Sequence, residues 1–207
     1  MSKGFVCALL FISVAFGQYK TQPAGPPPSE LPAAIREALQ TDGIKVVAPN
    51  GSVFCEVWFR TAAPSGTKST EQGVSLPSIP QGALLGALRF PNEGQDRRGF
   101  SIKAGVYTLR YSLYPPDGNH QGVSPQRDFL LMTPAAGDSD LSATPSFDQL
   151  VKMSAKSTGS PHPGVLSLWK DDAGAAPGLT HEGEDWVLHA KVGDVPIALI
   201  VAGAFQG

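Results

Sequence analysis

Apolar and polar residues alternate in short runs along most of this chain. In SVFCEVWFR, Val53, Cys55, Val57 and Phe59 alternate with Phe54, Glu56, Trp58 and Arg60, the period of a strand with one face turned inward. The first set is uniformly apolar, so Cys55 is expected in the core as a small hydrophobe. Between Val106 and Tyr114, one face carries Tyr107, Leu109, Tyr111 and Leu113 and must be buried; the other carries Thr108, Ser112, Tyr114 and Arg110, which it shows to solvent or to a partner. Further strand-like runs are Ile44 to Ala48, Ala83 to Phe90, Asp128 to Thr133, Val165 to Trp169, Trp186 to Val192 and Val195 to Ala202. Asn50-Gly51 and Gly193-Asp194 suit hairpin turns. Two stretches have the period of a helix instead: Ser29 to Gln40, with Leu31, Ile35 and Leu39 as its stripe, and SFDQLVKMSAKS, where Ser146 and Gln149 fit a capping box and Gly159 can end the element. About eight strands at turn spacings of about ten residues, with two short helices, predict a mainly β fold built as a single β-sandwich.

The N-terminus adds a compartment. Residues 1–17, MSKGFVCALLFISVAFG, have one basic residue, an apolar run from Phe5 to Phe16 and small residues at Ala15 and Gly17, the pattern of a secretory signal peptide cut after Gly17. The run is shorter than the roughly 20 residues a spanning helix needs, so no stable membrane insertion is expected. Residues 18–28, QYKTQPAGPPP, read as a Pro-rich leader that stays extended, mobile and outside any sheet. The domain then occupies 29–207, in a secreted or periplasmic protein. With Cys7 in the signal, Cys55 is the one remaining cysteine, so no internal disulfide can form and stability must come from core burial. The formal net charge is −2, with 16 basic and 18 acidic residues and no long run of either sign. A nucleic-acid partner, which needs a positive face to displace counterions, is therefore not expected.

The most chemically equipped stretch is YSLYPPDGNHQGVSPQRDF, Tyr111 to Phe129. Pro115-Pro116-Asp117-Gly118 is turn chemistry in its own right, but Asp117 and His120, three residues apart, can reach one point, as a ligand or a metal ion would require; the plainer reading is an Asp-His bond that stiffens the loop. Arg127 and Asp128 point to opposite faces if extended, and each then needs solvent or a partner, with Arg97, Arg98 and Arg110 as possible partners. An ion pair at the sheet end is one reading and an anion clamp the other. The remaining histidines, His162, His181 and His189, show no close metal-binding spacing, and His189 shares a strand face with Val187 and Lys191, as a sheet-surface residue does. No Gly-x-Ser-x-Gly elbow occurs. Trp58, Tyr114, Trp169 and Trp186 could stack on sugars, although core packing is the commoner role of such rings.

KAGVYTLRYSL, followed by DGNHQGVSPQRDFLLMTPA, resembles a group of uncharacterised secreted bacterial proteins, found in acidobacteria-like genomes, that are built as β-sandwiches around a Gly-x-Tyr-Thr-Leu strand. More distantly it is similar to transthyretin-like and carboxypeptidase-regulatory-like sandwiches. The resemblance runs from about Gly43 to the C-terminus and implies a fold and a compartment; it implies no activity. The expected function is a non-catalytic binding or interaction module, with no cofactor or metal, whose loop end, Asp117, His120, Arg127, Asp128, Arg110 and Tyr114, meets a small ligand, a glycan or a protein. Two alternatives stay open: a metal-binding protein or metal-dependent hydrolase using His120 with a second histidine, and a structural subunit of a surface layer or fibre.

Overall fold

A computed structural model of the chain describes residues 18–116 and 126–203. All eight expected strands form: β2 (Gly43–Val47), β3 (Val53–Phe59), β4 (Leu84–Phe90), β7 (Gly105–Leu113), β8 (Asp128–Pro134), β9 (Val165–Lys170), β11 (Asp185–Val192) and β12 (Val195–Ala202). Two more, β1 (Lys20–Gly25) and β10 (Gly178–Glu182), extend the array, and β5 (Gly94–Gln95) and β6 (Ser101–Ile102) make a small separate hairpin. The expected sandwich is not what they build. One antiparallel sheet runs through ten strands in the order β1-β2-β3-β4-β7-β8-β9-β12-β11-β10 and curls until its edges, β1 and β10, approach each other, nearly closing a barrel. The pairing that rules out two sheets is β8 with β9, where Leu130 faces Leu166. Twisted strands bury one face equally well inside a barrel or between sheets, so alternation alone does not distinguish the two.

The interior of the barrel is the main core. Val46, Cys55, Val57, Phe59, Leu109, Tyr111, Leu130, Leu188 and Leu199 all point into it. Burial raises the pKa of the Cys55 thiol, which keeps it in the protonated form that is a poor nucleophile. Parts of the outer face are covered as well. Helix α1 (Ala33–Ala38) brings Leu31, Ile35 and Leu39 against Trp58, Leu84 and Ala87. The stripe is the expected one, but the helix is shorter: Pro32, not Ser29, stands at its N-cap, because a proline fits the helix start and disfavours helical geometry in the residue before it. Helix α2 (Phe147–Thr158) has the expected Ser146/Gln149 capping box and ends at Gly159 in the left-handed conformation, φ 69°. It covers Phe129, Leu131 and Val165.

The leader also departs from expectation. Lys20–Gly25 pairs with β2, Lys20 facing Val47 and Pro23 facing Ile44. Its proline is tolerated because β1 is an edge strand, where a missing N–H can fall on the unpaired side. The indole Nε1 of Trp58 donates to the Gly25 carbonyl at 2.7 Å and lies across Gly43, where a Cβ would fall inside the ring's van der Waals envelope. Gly43→Ala is therefore expected to cost about 1–3 kcal/mol by overpacking, measured by urea unfolding followed through Trp fluorescence; an unchanged midpoint would refute this packing. Among the described residues no helix is long and apolar enough to cross a membrane.

The registers set the two mouths of the barrel. Phe59, Leu84, Leu113, Asp128, Lys170 and Val195 ring one. The long segment from Thr61 to Ala83 crosses this mouth, and its Ala63, Leu76, Ile79 and Ala83 join the main core. The Gly193-Asp194 turn, with Gly193 at φ 55°, sits directly on Ala62 and Ala63.

Candidate functional site

The rim charges expected from sequence are the fasteners of this crossing segment. Asp128, at the first position of β8, turns inward and is fully buried. Its carboxylate accepts hydrogen bonds from the backbone N–H of Ser75 at 2.8 Å and of Leu76 at 2.9 Å, and from the Tyr111 hydroxyl at 2.7 Å. No guanidinium is needed, since a carboxylate with three donors is well compensated without a countercharge. Arg127 points the other way. It donates from Nη2 to Glu71 at 2.7 Å, from Nη1 to the Gln72 carbonyl at 2.9 Å, and from Nε and Nη2 to the Tyr114 carbonyl at 3.0 and 2.8 Å. Arg127 thus makes the ion pair at the sheet end, with Glu71 as its partner; Arg97 pairs with Asp185 and Arg98 with Asp96.

Between the crossing segment and the end of β7 lies a recess of about 400 Å³. Thr67, Ser69, Glu71, Gln81 and Arg127 give it polar groups, and Pro115, Pro116 and Phe147 give it flat apolar ones. Gln81 is oriented by the Ser112 hydroxyl, which donates to its Oε1 at 3.1 Å. Ser69, which lines the recess, is fixed by its own turn, its hydroxyl accepting from the Glu71 N–H at 3.2 Å and its N–H donating to the Pro77 carbonyl at 2.8 Å.

The other expected site residues are dispersed. Tyr114 meets Arg127 through its backbone, its carbonyl accepting from the guanidinium and its N–H donating to the Arg127 carbonyl at 2.9 Å; its ring stacks on Phe129 under α2, with centroids 4.1 Å apart. Arg110, expected to face solvent or a partner, is fully buried on the outer face of the sheet. It makes a two-point ion pair with Asp138, Nε to Oδ2 at 2.6 Å and Nη2 to Oδ1 at 2.7 Å. Its remaining donors meet the carbonyls of Gly82, Ala143 and Asp140 at 2.6–2.8 Å. All five guanidinium N–H groups are thereby used inside the protein. Asp117 and His120 lie outside the described residues.

The described histidines are held in three separate places. His162 stacks on Phe100 and His181 on Trp186, with centroids 4.6 and 4.5 Å apart. His189 is the one misjudged from the sequence: it is buried, not a surface residue. Its Nδ1 lies 2.9 Å from Asp171 Oδ2 and its Nε2 2.9 Å from Thr180 Oγ1. Asp171 reaches it across β12, where the facing residue is only Ala198. An acid, an imidazole and a hydroxyl in line form a proton relay in geometry, but Thr180 also donates to Glu182 at 2.9 Å. The network braces the edge strand β10 against β11 and the end of β9. The partner stands 18 positions away in a turn, so no local pattern announced it. Among the described residues no group of three or more His, Cys, Asp or Glu side chains is placed to hold a metal ion.

All four tyrosines have hydroxyls shifted upward. Burial raises Tyr19, Tyr107 and Tyr111, with the Asp128 carboxylate adding to the last, and pushes Tyr114 up to about 12. Because each folded value lies above the unfolded one, the associated stability is complete below about pH 10 and is lost as pH rises beyond it. Tyrosinate absorbance is expected to stay low at about pH 10 and to rise together with loss of tertiary circular dichroism above it. Half-ionisation at the free-tyrosine pH with native dichroism intact would contradict the buried placements.

No protein-family model matches the chain, and no curated protein or solved structure matches it either.

Proposed function

We propose that this chain is a secreted or periplasmic, non-catalytic binding module that takes a small hydroxyl-rich ligand, such as a short glycan, in the recess at the rim. The observation that supports this reading is the pairing of fixed polar groups with flat apolar surfaces in one recess of about 400 Å³, the composition typical of small-molecule sites. Hydroxyls of a sugar can bond Gln81, Glu71, Thr67 and Ser69, while its C–H faces lie on Pro115, Pro116 and Phe147. Arg127 and Asp128 serve the site by holding its wall, the 61–83 segment, across the barrel mouth.

A glycan array probed with the mature chain tests this, followed by calorimetry of any hit on Glu71→Ala and Gln81→Ala. The expected result is about a tenfold loss of affinity in each variant, the cost of one or two polar contacts, with thermal unfolding unchanged in Gln81→Ala and slightly lowered in Glu71→Ala, which loses a half-exposed ion pair. Affinity unchanged in both variants, or no binder on the array, would overturn the reading.

A further inference from the structure

Under the N-terminal half of α2 lies a second cavity, of about 290 Å³, that shares only Pro115 and Phe147 with the rim recess. Its lining is of a different kind. The Tyr114 and Phe129 rings line it, stacked face on face with centroids 4.1 Å and planes 12° apart. Phe147 and Val151 face it from α2, and Pro161 and Pro163 from the loop that follows. This volume is at the lower end, about 300 Å³, of small-molecule sites, and flat rings on its walls favour a flat occupant.

The polar equipment is asymmetric. Arg98 lines the cavity with its side chain only 15% exposed. Nε and Nη2 donate to Asp96 Oδ2 at 3.2 and 2.6 Å, and Nη2 donates also to the Pro163 carbonyl at 2.5 Å. The guanidinium lies over the Phe100 ring, 5.0 Å from its centroid. Nη1, by contrast, has no hydrogen-bond partner among the described residues. A guanidinium clamped at two of its nitrogens keeps the third as a pre-oriented, charged donor, which can give a carboxylate oxygen a charge-assisted hydrogen bond. Beside it, His162 lines the same cavity; its ring is held on Phe100 and its carbonyl by the Thr158 hydroxyl at 2.6 Å. Asp96, whose oxygens are already engaged by Arg98 and by the N–H groups of Arg98 and Phe100, fixes the orientation of the guanidinium.

We propose that this cavity binds a single-ring aromatic carboxylate, with the ring against the Tyr114–Phe129 and Phe147 surfaces and the carboxylate on Arg98 Nη1. The site shares the Phe147 wall with the rim recess but is told apart from it by the rest of its lining: a ligand here need not touch Thr67, Ser69 or Gln81, and a ligand there need not touch Val151, His162 or Val165.

The test is a titration of the ¹⁵N-labelled mature chain with phenylacetate, benzoate, cyclohexanecarboxylate and benzyl alcohol, followed by amide chemical shifts. Saturable shifts at Val151, His162 and Val165 are expected with the two aromatic acids. The saturated-ring acid and the alcohol should bind about tenfold more weakly, having lost the stacking or the charge-assisted bonds respectively. Val151→Trp fills the cavity from a partly exposed helix position and should abolish these shifts while leaving the unfolding temperature unchanged; Val151→Phe serves the same purpose if the larger ring disturbs folding. Shifts that do not saturate, that centre on Thr67, Ser69 and Gln81, that are as strong with cyclohexanecarboxylate, or that survive both Val151 variants would overturn the assignment.

Discussion

Arg110→Met is expected to remove about 3–5 kcal/mol of stability, the cost of stranding one member of a buried ion pair. The variant leaves the buried Asp138, among the described residues, with the Thr108 hydroxyl at 2.5 Å as its one side-chain donor. It also strands the carbonyls of Gly82, Ala143 and Asp140, which receive the other guanidinium hydrogens. The double variant Arg110→Met, Asp138→Leu should recover part of the loss, since replacing both partners by apolar groups removes the uncompensated charge. Urea unfolding of the set measures this. A single-variant loss below about 1 kcal/mol, the range of an exposed pair, would mean that Arg110 is not buried in this network.

Asp128→Ala is expected to cost about 3 kcal/mol, because three donors lose one acceptor and each unsatisfied buried donor is worth about 1–3 kcal/mol before water enters. Tyr111→Phe should cost less, about 1 kcal/mol, since Asp128 keeps its two backbone donors. The order of the two variants is the informative result. Were Tyr111→Phe the more damaging, the carboxylate would be serving the tyrosine and not the 61–83 segment.

What was legible in the sequence was what neighbours decide. Val53 to Phe59 alternates because each residue sees the core or the outer face in turn, and β3 forms there with Cys55 inside. The Ser146/Gln149 box and Gly159 bound α2 because caps are local chemistry. The barrel was not legible: whether β8 pairs with β9 depends on residues some 36 positions apart, Leu130 and Leu166, and their apolar character is the same in either architecture. β1 was hidden by Pro23, and β10 by its Gly178 start and its exposed Thr180, His181 and Glu182.

The site was legible in a particular way. Arg127 and Asp128 do converge on one structure at the rim, but as its fasteners, because both find partners in the Ser-, Thr- and Pro-rich stretch that follows β3. That stretch has no periodicity, so its Leu76 and Ile79 give no sign of entering the core. Arg110 was misplaced for the same reason: Asp138 sits 28 positions away in an irregular segment.

Native-state hydrogen exchange at Ser75 and Leu76 tests most directly the claim that rim charges hold the 61–83 segment across the barrel mouth. Both amides donate to Asp128 and should exchange about a thousandfold more slowly than free amides, in the range of opening core strands, with that protection lost in Asp128→Ala. Exchange at the free-amide rate in the native protein would show that the mouth is open and the rim recess has no fixed wall.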